Sequence, residues 1–201
     1  DENNRSSARI IKQRIMKKSM FVMAAAMLLL GVSCKGSNAN ANSAPAPTEQ
    51  TATNEVSKSV VEMVDANLSG ADALETIKKK YAGSVVVVDF WATWCPPCRE
   101  AMKEVKAIKP TLMEQGAVFV YITGETSPLD TWKTSIAAID GQHYRLTDKQ
   151  WAEIGKMLKM PGIPAFMVIN KDGSTAFSNV TEGGYPGNEV IQNVVETALT
   201  K

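Results

Sequence analysis

The sequence predicts an α/β domain with a mixed central sheet flanked by helices, and three observations carry that prediction. From about residue 68 onward, apolar runs of strand length alternate with segments of helical period. Residues 85–90, Val-Val-Val-Val-Asp-Phe, are apolar at every position but one, as expected of a central strand covered on both faces. Lys171-Asp172-Gly173 separates two strand-like stretches, 165–170 and 174–180, and so adds an antiparallel hairpin to the alternating pattern.

The elements follow in order. Residues 71–81 read as a helix, with Leu74, Ile77 and Tyr81 along one side and Lys78-Lys79-Lys80 at its solvated, dipole-favoured C-terminal end. The 85–90 strand comes next. Residues 95–114 read as a helix broken at Pro110. Gly116 precedes a strand over 117–123, and residues 128–139 form a third helix closed by Asp140-Gly141. A short strand-like stretch leads to Arg145, and Asp148 stands where it would cap a helix running through Leu158. After the hairpin, residues 188–199 form the closing helix. Trp132 and Trp151 sit at helical spacing among apolar neighbours and read as packing residues. His143, alone among polar residues, reads as a surface or loop residue rather than a catalyst.

Chemistry concentrates where the first strand ends, in Trp94-Cys95-Pro96-Pro97-Cys98. Two cysteines separated by two residues can form a disulfide on the first turn of a helix. There the backbone N–H groups and the helix dipole favour a thiolate, which makes Cys95 both a nucleophile and a leaving group near neutral pH. Pro96 and Pro97 lack amide hydrogens, but first-turn amides have no intrahelical partner, so the prolines are tolerated and stiffen the turn. A zinc site would need four ligands, and only Cys34 and His143 remain to supply them, so no metal is expected. A disulfide closing so short a loop adds little chain-entropy stabilisation, which argues against a purely structural bridge. The pair reads as a thiol–disulfide redox site that needs no cofactor.

Residues 87–99, Val-Val-Asp-Phe-Trp-Ala-Thr-Trp-Cys-Pro-Pro-Cys-Arg, closely resemble the active-site segment of thioredoxin-fold proteins. Within that superfamily they look most like the TlpA/ResA-type disulfide reductases of bacterial envelopes. Residues 160–173, Met-Pro-Gly-Ile-Pro-Ala-Phe-Met-Val-Ile-Asn-Lys-Asp-Gly, resemble the same family's cis-proline loop, the strand after it and the turn that follows. The similarity covers about residues 68–200. It implies a thioredoxin-like fold in which the helix and short strand between Thr123 and Pro161 are the insertion typical of TlpA-like domains.

The resemblance also assigns roles. Cys95, the more exposed thiol, attacks a substrate disulfide, and Cys98 resolves the mixed disulfide. Asp89 matches the family's buried acid beneath the cysteines, where burial raises its pKa and lets it accept the Cys98 proton. Pro164 matches the cis-proline, which leaves the Ile163 backbone to pair with substrate. Trp94, Pro96 and Pro97 surround Cys95 as substrate surface, and Trp91 fits either that surface or the core. Two departures bear on potential and substrate choice. Ala101 stands where many relatives carry a glutamate, with Glu100 and Glu104 pointing elsewhere, and Lys103 replaces a helix-kinking proline. A peroxiredoxin is disfavoured, because Cys95 lacks the Thr-x-x-Cys setting. A thiol oxidase or isomerase of the same fold, and a non-enzymatic binding module, stay open as alternatives.

The N-terminal third reads as address rather than fold. Lys17-Lys18 precede the apolar stretch 20–30, which is too short to span a bilayer and has the form of a signal-peptide core. It ends in Leu30-Gly31-Val32-Ser33-Cys34, similar to the lipobox of bacterial lipoproteins, with Gly31 where a branched aliphatic residue is usual. Lipidation of Cys34 is favoured over an uncleaved anchor or an ordinary secretory cleavage. Residues 1–34 are thus the basic region and signal peptide, 35–60 a flexible linker rich in Asn, Ala, Ser, Thr and Pro, and 61–201 the folded domain. The expected location is the envelope, facing the periplasm and anchored to a membrane. The expected partners are disulfide-bearing envelope proteins, apocytochrome c among the candidates, and a membrane thiol carrier of the DsbD/CcdA kind. With 22 basic and 21 acidic residues, the chain has no excess charge to suggest nucleic-acid binding.

Overall fold

The computed structural model describes residues 58–201. Cys34, the signal-like stretch and nearly all of the predicted linker lie outside the described residues. The elements in chain order are β1 (Ser59–Glu62), α1 (Gly70–Lys80), β2 (Val85–Phe90), α2 (Pro96–Val105), α3 (Lys109–Glu114), β3 (Ala117–Gly124), α4 (Leu129–Ile136), β4 (Gly141–Leu146), α5 (Asp148–Met157), β5 (Ala165–Ile169), β6 (Thr175–Ser178) and α6 (Asn188–Leu199). They form one mixed sheet in the order β1-β4-β3-β2-β5-β6. The β1–β4, β4–β3 and β3–β2 pairs are parallel, and β5 and β6 add antiparallel. Because β2 is interior, all six of its residues are buried.

Alternation along β2 divides the core into two layers. Val85, Val87 and Trp91 pack with residues of α2, α3, α4 and α6. Val86, Val88 and Phe90 pack on the opposite face with α1 and α5. The predicted insertion is integral to the sheet, since β4 lies between β1 and β3. Gly141 opens β4 at φ +131, where a Cβ would meet the Phe119 carbonyl and the Tyr121 ring at 2.8 Å, so both conformation and space require glycine.

Four local expectations are corrected. The helix break falls between Val105 and Lys109, upstream of Pro110, which sits in the first turn of α3 where its missing N–H removes no intrahelical bond. Helix α4 ends at Ile136, three residues early. The cap of α5 is Thr147 rather than Asp148: its hydroxyl accepts from the Gln150 amide while Gln150 Oε1 accepts from the Thr147 N–H, forming a capping box. His143 is fully buried inside β4. Strand β1, absent from the sequence reading, is a four-residue edge strand with Val60 and Val61 exposed, too short for periodicity to reveal.

Candidate active site

Strand β2 runs into a tight turn that delivers Cys95 to the N-cap of α2. Cys95 and Cys98 are joined in a disulfide, with Cα atoms 5.3 Å apart. Cys95 Sγ accepts the Cys98 amide at 3.2 Å, so a helix-N-terminal N–H already points at the sulfur that would carry thiolate charge. Pro96 and Pro97 occupy the first helical positions and are exposed. Cys95 is the more accessible sulfur residue, by a narrow margin: 3% exposed against 0% for Cys98. Trp94 stands out beside it at 56%, whereas Trp91 is core.

A polar network that the sequence did not reveal pins this turn. Arg99 Nη1 donates to the Thr93 carbonyl at 2.7 Å, and the Thr93 amide donates to Ser127 Oγ at 3.1 Å. Ser127 in turn meets Thr123 Oγ1 at 2.8 Å, and its carbonyl accepts from Arg145 Nε. Ser127 and Thr123 are fully buried, so these bonds form in a medium where breaking one leaves a polar group unsatisfied.

Across from the cysteines, the Ile163–Pro164 bond is cis, and the Ile163 carbonyl lies 3.7 Å from Cys95 Sγ. The Pro164 carbonyl is taken by the Gly184 amide, and the Phe166 amide by Asn179 Oδ1. The Ile163 N–H and C=O, by contrast, have no backbone partner among the described residues. A peptide with no backbone partner among the described residues, beside the reactive sulfur, is suited to an extended substrate segment.

Asp89 lies on the β2 face shared with Trp91 and the cysteine pair, 3% exposed, and its Oδ1 has no partner among the described residues. Burial pushes its pKa up to about 8, opposed in part by the Lys109 ammonium. The register places Tyr121 beside Asp89 and His143 beside Tyr121, so three titratable side chains form one row across β2, β3 and β4. The Tyr121 and His143 rings stack at 4.9 Å. Lys109 Nζ reaches over this row from α3, donating to Tyr121 Oη at 3.1 Å and to the Asp140 carbonyl at 2.8 Å.

Burial lowers the Lys109 pKa to about 8 against the attraction of Asp140 and Asp89, and lowers that of His143 to about 4. His143 is therefore neutral near pH 7, with Nε2 2.8 Å from the Ile139 carbonyl. Neither Lys109 nor His143 was singled out from sequence as part of the site. Alternation along 141–146 was the only signal available for His143, and a lysine before a proline gave none for Lys109. Ala101 is buried on the core side of α2, with Glu100, Lys103 and Glu104 turned to solvent.

A family model described as thioredoxin-like matches residues 83–175. A ResA thiol-disulfide oxidoreductase from Geobacillus thermodenitrificans is 32% identical over 157 residues, covering 78% of this chain and 85% of the relative. The ResA of Bacillus thuringiensis subsp. konkukian is 27% identical over 95 residues, covering 47% of this chain and about half (54%) of the relative's length. In three dimensions the chain is similar to the thioredoxin domain of a thiol-disulfide oxidoreductase from Bacteroides vulgatus. The TM-score is 0.50 at 16% identity, covering 59% of this chain and 81% of that one, a likeness of fold.

Proposed function

The chain belongs to the ResA-type thiol-disulfide oxidoreductases of the thioredoxin-like family, and from that premise we propose that it reduces disulfides of exported proteins at the bacterial envelope. The observation that carries the reading is the Cys95–Cys98 pair at the head of α2, set against the Ile163 carbonyl and on the same sheet face as a buried acid.

In the reduced protein the Cys95 thiolate, stabilised by the Cys98 amide at the head of the helix, attacks one sulfur of a client disulfide. That S–S bond breaks, the departing client sulfur leaves as a thiolate that takes a proton, and a mixed disulfide joins Cys95 to the client. Cys98 then gives its proton to the Asp89 carboxylate and attacks Cys95 Sγ. This releases the second client thiolate and forms the Cys95–Cys98 bond. The client has gained two electrons and the protein has lost two. With a pKa of about 8, a fraction of Asp89 is ionised at neutral pH, which suits a base that must accept a proton and release it.

Our reading extends to delivery. Residues 1–34 act as an export signal ending in lipidation at Cys34, residues 35–60 as a tether, and the domain draws electrons from a membrane thiol carrier of the DsbD/CcdA kind. The support is the lysine-flanked apolar stretch and the lipobox-like Leu30–Cys34, together with the oxidising character of the compartment in which such proteins work.

Insulin reduction with dithiothreitol tests the activity. A Cys98→Ser variant expressed in cells should trap clients as mixed disulfides with Cys95, naming them directly, whether cytochrome c precursors or other envelope proteins. Thiol-trapping gels give the direction. Cys95–Cys98 should be mostly reduced in wild-type cells and oxidised in cells lacking the carrier. An oxidised pair in wild-type cells would instead favour an oxidase.

A further inference from the structure

A cavity of about 380 Å³ opens between α2, α3 and the end of α4, and no step of the mechanism above uses it. Its lining is basic: Arg99, Lys103, Lys106 and Lys109 stand against one carboxylate, Asp140. Lys103 is paired with Glu100, and Asp140 Oδ1 accepts the Lys58 amide at 2.7 Å, so the cations left to face a ligand are Arg99, Lys106 and Lys109. Trp91, Met102, Pro110 and Ile139 add apolar wall between them. Two buried donors distinguish the cavity from a merely solvated patch. Lys109 is 7% exposed, and Tyr121 Oη and the Asp140 carbonyl take two of its three ammonium protons, leaving one without a partner among the described residues. Trp91 is 1% exposed, and its indole Nε1–H also has no partner among the described residues. Buried donors are nearly always paired.

We propose that this cavity binds a small organic anion with a flat apolar body, and that its occupancy slows the resolving step at Cys98. The charged group sits among Arg99, Lys106 and Lys109, and supplies the acceptor that the buried donors lack. The ring lies against Trp91 and Met102. The volume is at the lower end of the roughly 300–1,000 Å³ of small-molecule sites, which suits one ring or two fused rings. Binding by itself is independent of the redox reading; the effect on Cys98 rests on it. Lys109 faces Asp89 from across the cavity wall, together with Tyr121 of β3, His143 of β4, Asp140 and Lys106. Its ammonium favours the Asp89 carboxylate. A bound anion offsets that ammonium and also repels the carboxylate directly, so both effects keep the proton on Asp89. A rise of the order of half a pH unit in the Asp89 midpoint leaves about a third as much carboxylate at pH 7, and Cys98 loses its base to that extent.

The test uses the oxidised full-length chain and naphthalene-2-sulfonate as probe, with naphthalene-2-methanol (ring without charge) and methanesulfonate (charge without ring) as comparisons. By calorimetry the sulfonate should bind with a dissociation constant of about 1 mM or tighter, and at least about tenfold tighter than either comparison. In nitrogen-15 spectra the Trp91 indole N–H resonance should move. Lys106→Glu and Ala138→Phe change exposed positions of the lining, the first reversing a charge and the second filling space, and each should weaken binding by at least about tenfold. Saturating probe should slow release of a peptide from its Cys95 mixed disulfide about threefold at pH 7, with the effect fading above pH 9. Equal affinity for either comparison compound, shifts confined to Trp94, or unaltered affinity in both variants would overturn the site. Binding with an unchanged release rate would overturn its coupling to the resolving step. No disulfide reduction at all would overturn the redox reading and the coupling, while calorimetry and the Trp91 resonance would still decide the site.

Discussion

Replacing Asp89 with asparagine separates the energetic role of the buried acid from its chemical one. Asp89 is 3% exposed, carries an unpartnered Oδ1, and has its pKa raised from the ordinary 3.8 to about 8. In the unfolded chain it ionises near pH 4, whereas in the folded chain it keeps its proton until about pH 8. Between those values the folded state binds the extra proton, so stability falls as pH rises; below pH 4 and above pH 8 the dependence on this group vanishes. Holding the proton at pH 7 corresponds to about 4 kcal/mol at 1.36 kcal/mol per pH unit. The asparagine side chain is neutral at every pH and escapes this, but its amide lacks partners at a further cost of about 1–3 kcal/mol. Asp89→Asn should therefore stabilise the oxidised protein by about 1–3 kcal/mol at pH 7, with the advantage shrinking and reversing toward pH 4. Urea denaturation at several pH values between 4 and 8.5 reads this directly. The same variant should slow resolution of a Cys95 mixed disulfide by about 100-fold, measured by quenched-flow release of a thiol-labelled peptide. Parallel stability–pH curves for the two proteins would refute the buried, raised-pKa acid, and an unchanged resolution rate would refute its part in proton transfer.

Cys95 in the reduced protein should alkylate at least about tenfold faster than Cys98 at pH 7, read by mass spectrometry after brief iodoacetamide treatment; equal rates would remove the activated nucleophile. Cys95→Ser should abolish insulin reduction, while Cys98→Ser accumulates mixed disulfides on non-reducing gels. Lys109→Met removes the cation that holds the Asp89 pKa down, so the pH midpoint of the resolution step should move above about 8; an unmoved midpoint would detach Lys109 from the acid. Thr147→Ala deletes the α5 cap and should lower stability by about 1 kcal/mol in urea denaturation without changing the rate with a small disulfide.

Particular residues show what was legible in the sequence. The spacing of Cys95 and Cys98 and the apolar run that feeds them are local patterns, and each reappears in place because strand period and helix initiation are decided over a few residues; the cis bond at Pro164 was expected only from the family resemblance. Helix α6 lies at the predicted residues, 188–199, for the same reason. The cap of α5 was misread by one residue because Thr147 and Asp148 are both competent caps. The choice fell to Gln150, which closes the capping box with Thr147 while its Nε2 ties down the Asp65 carbonyl, 85 residues away in sequence.

By itself, then, the sequence determined the redox pair, the strand beneath it and the alternation that makes the fold α/β, and its resemblance to the family added the proline loop opposite. Only the tertiary structure decided that Tyr121 and His143 share one buried row with Asp89 beneath Lys109, and that Arg99 and Ser127 pin the turn. The reason is physical. A lysine or histidine is ordinarily solvated, and nothing near it in sequence announces burial. Burial is imposed when parallel strands fix a register that brings residues 89, 121 and 143 side by side and a helix closes over them. The pKa values on which the chemistry depends follow from that enclosure and not from the residues' own identities.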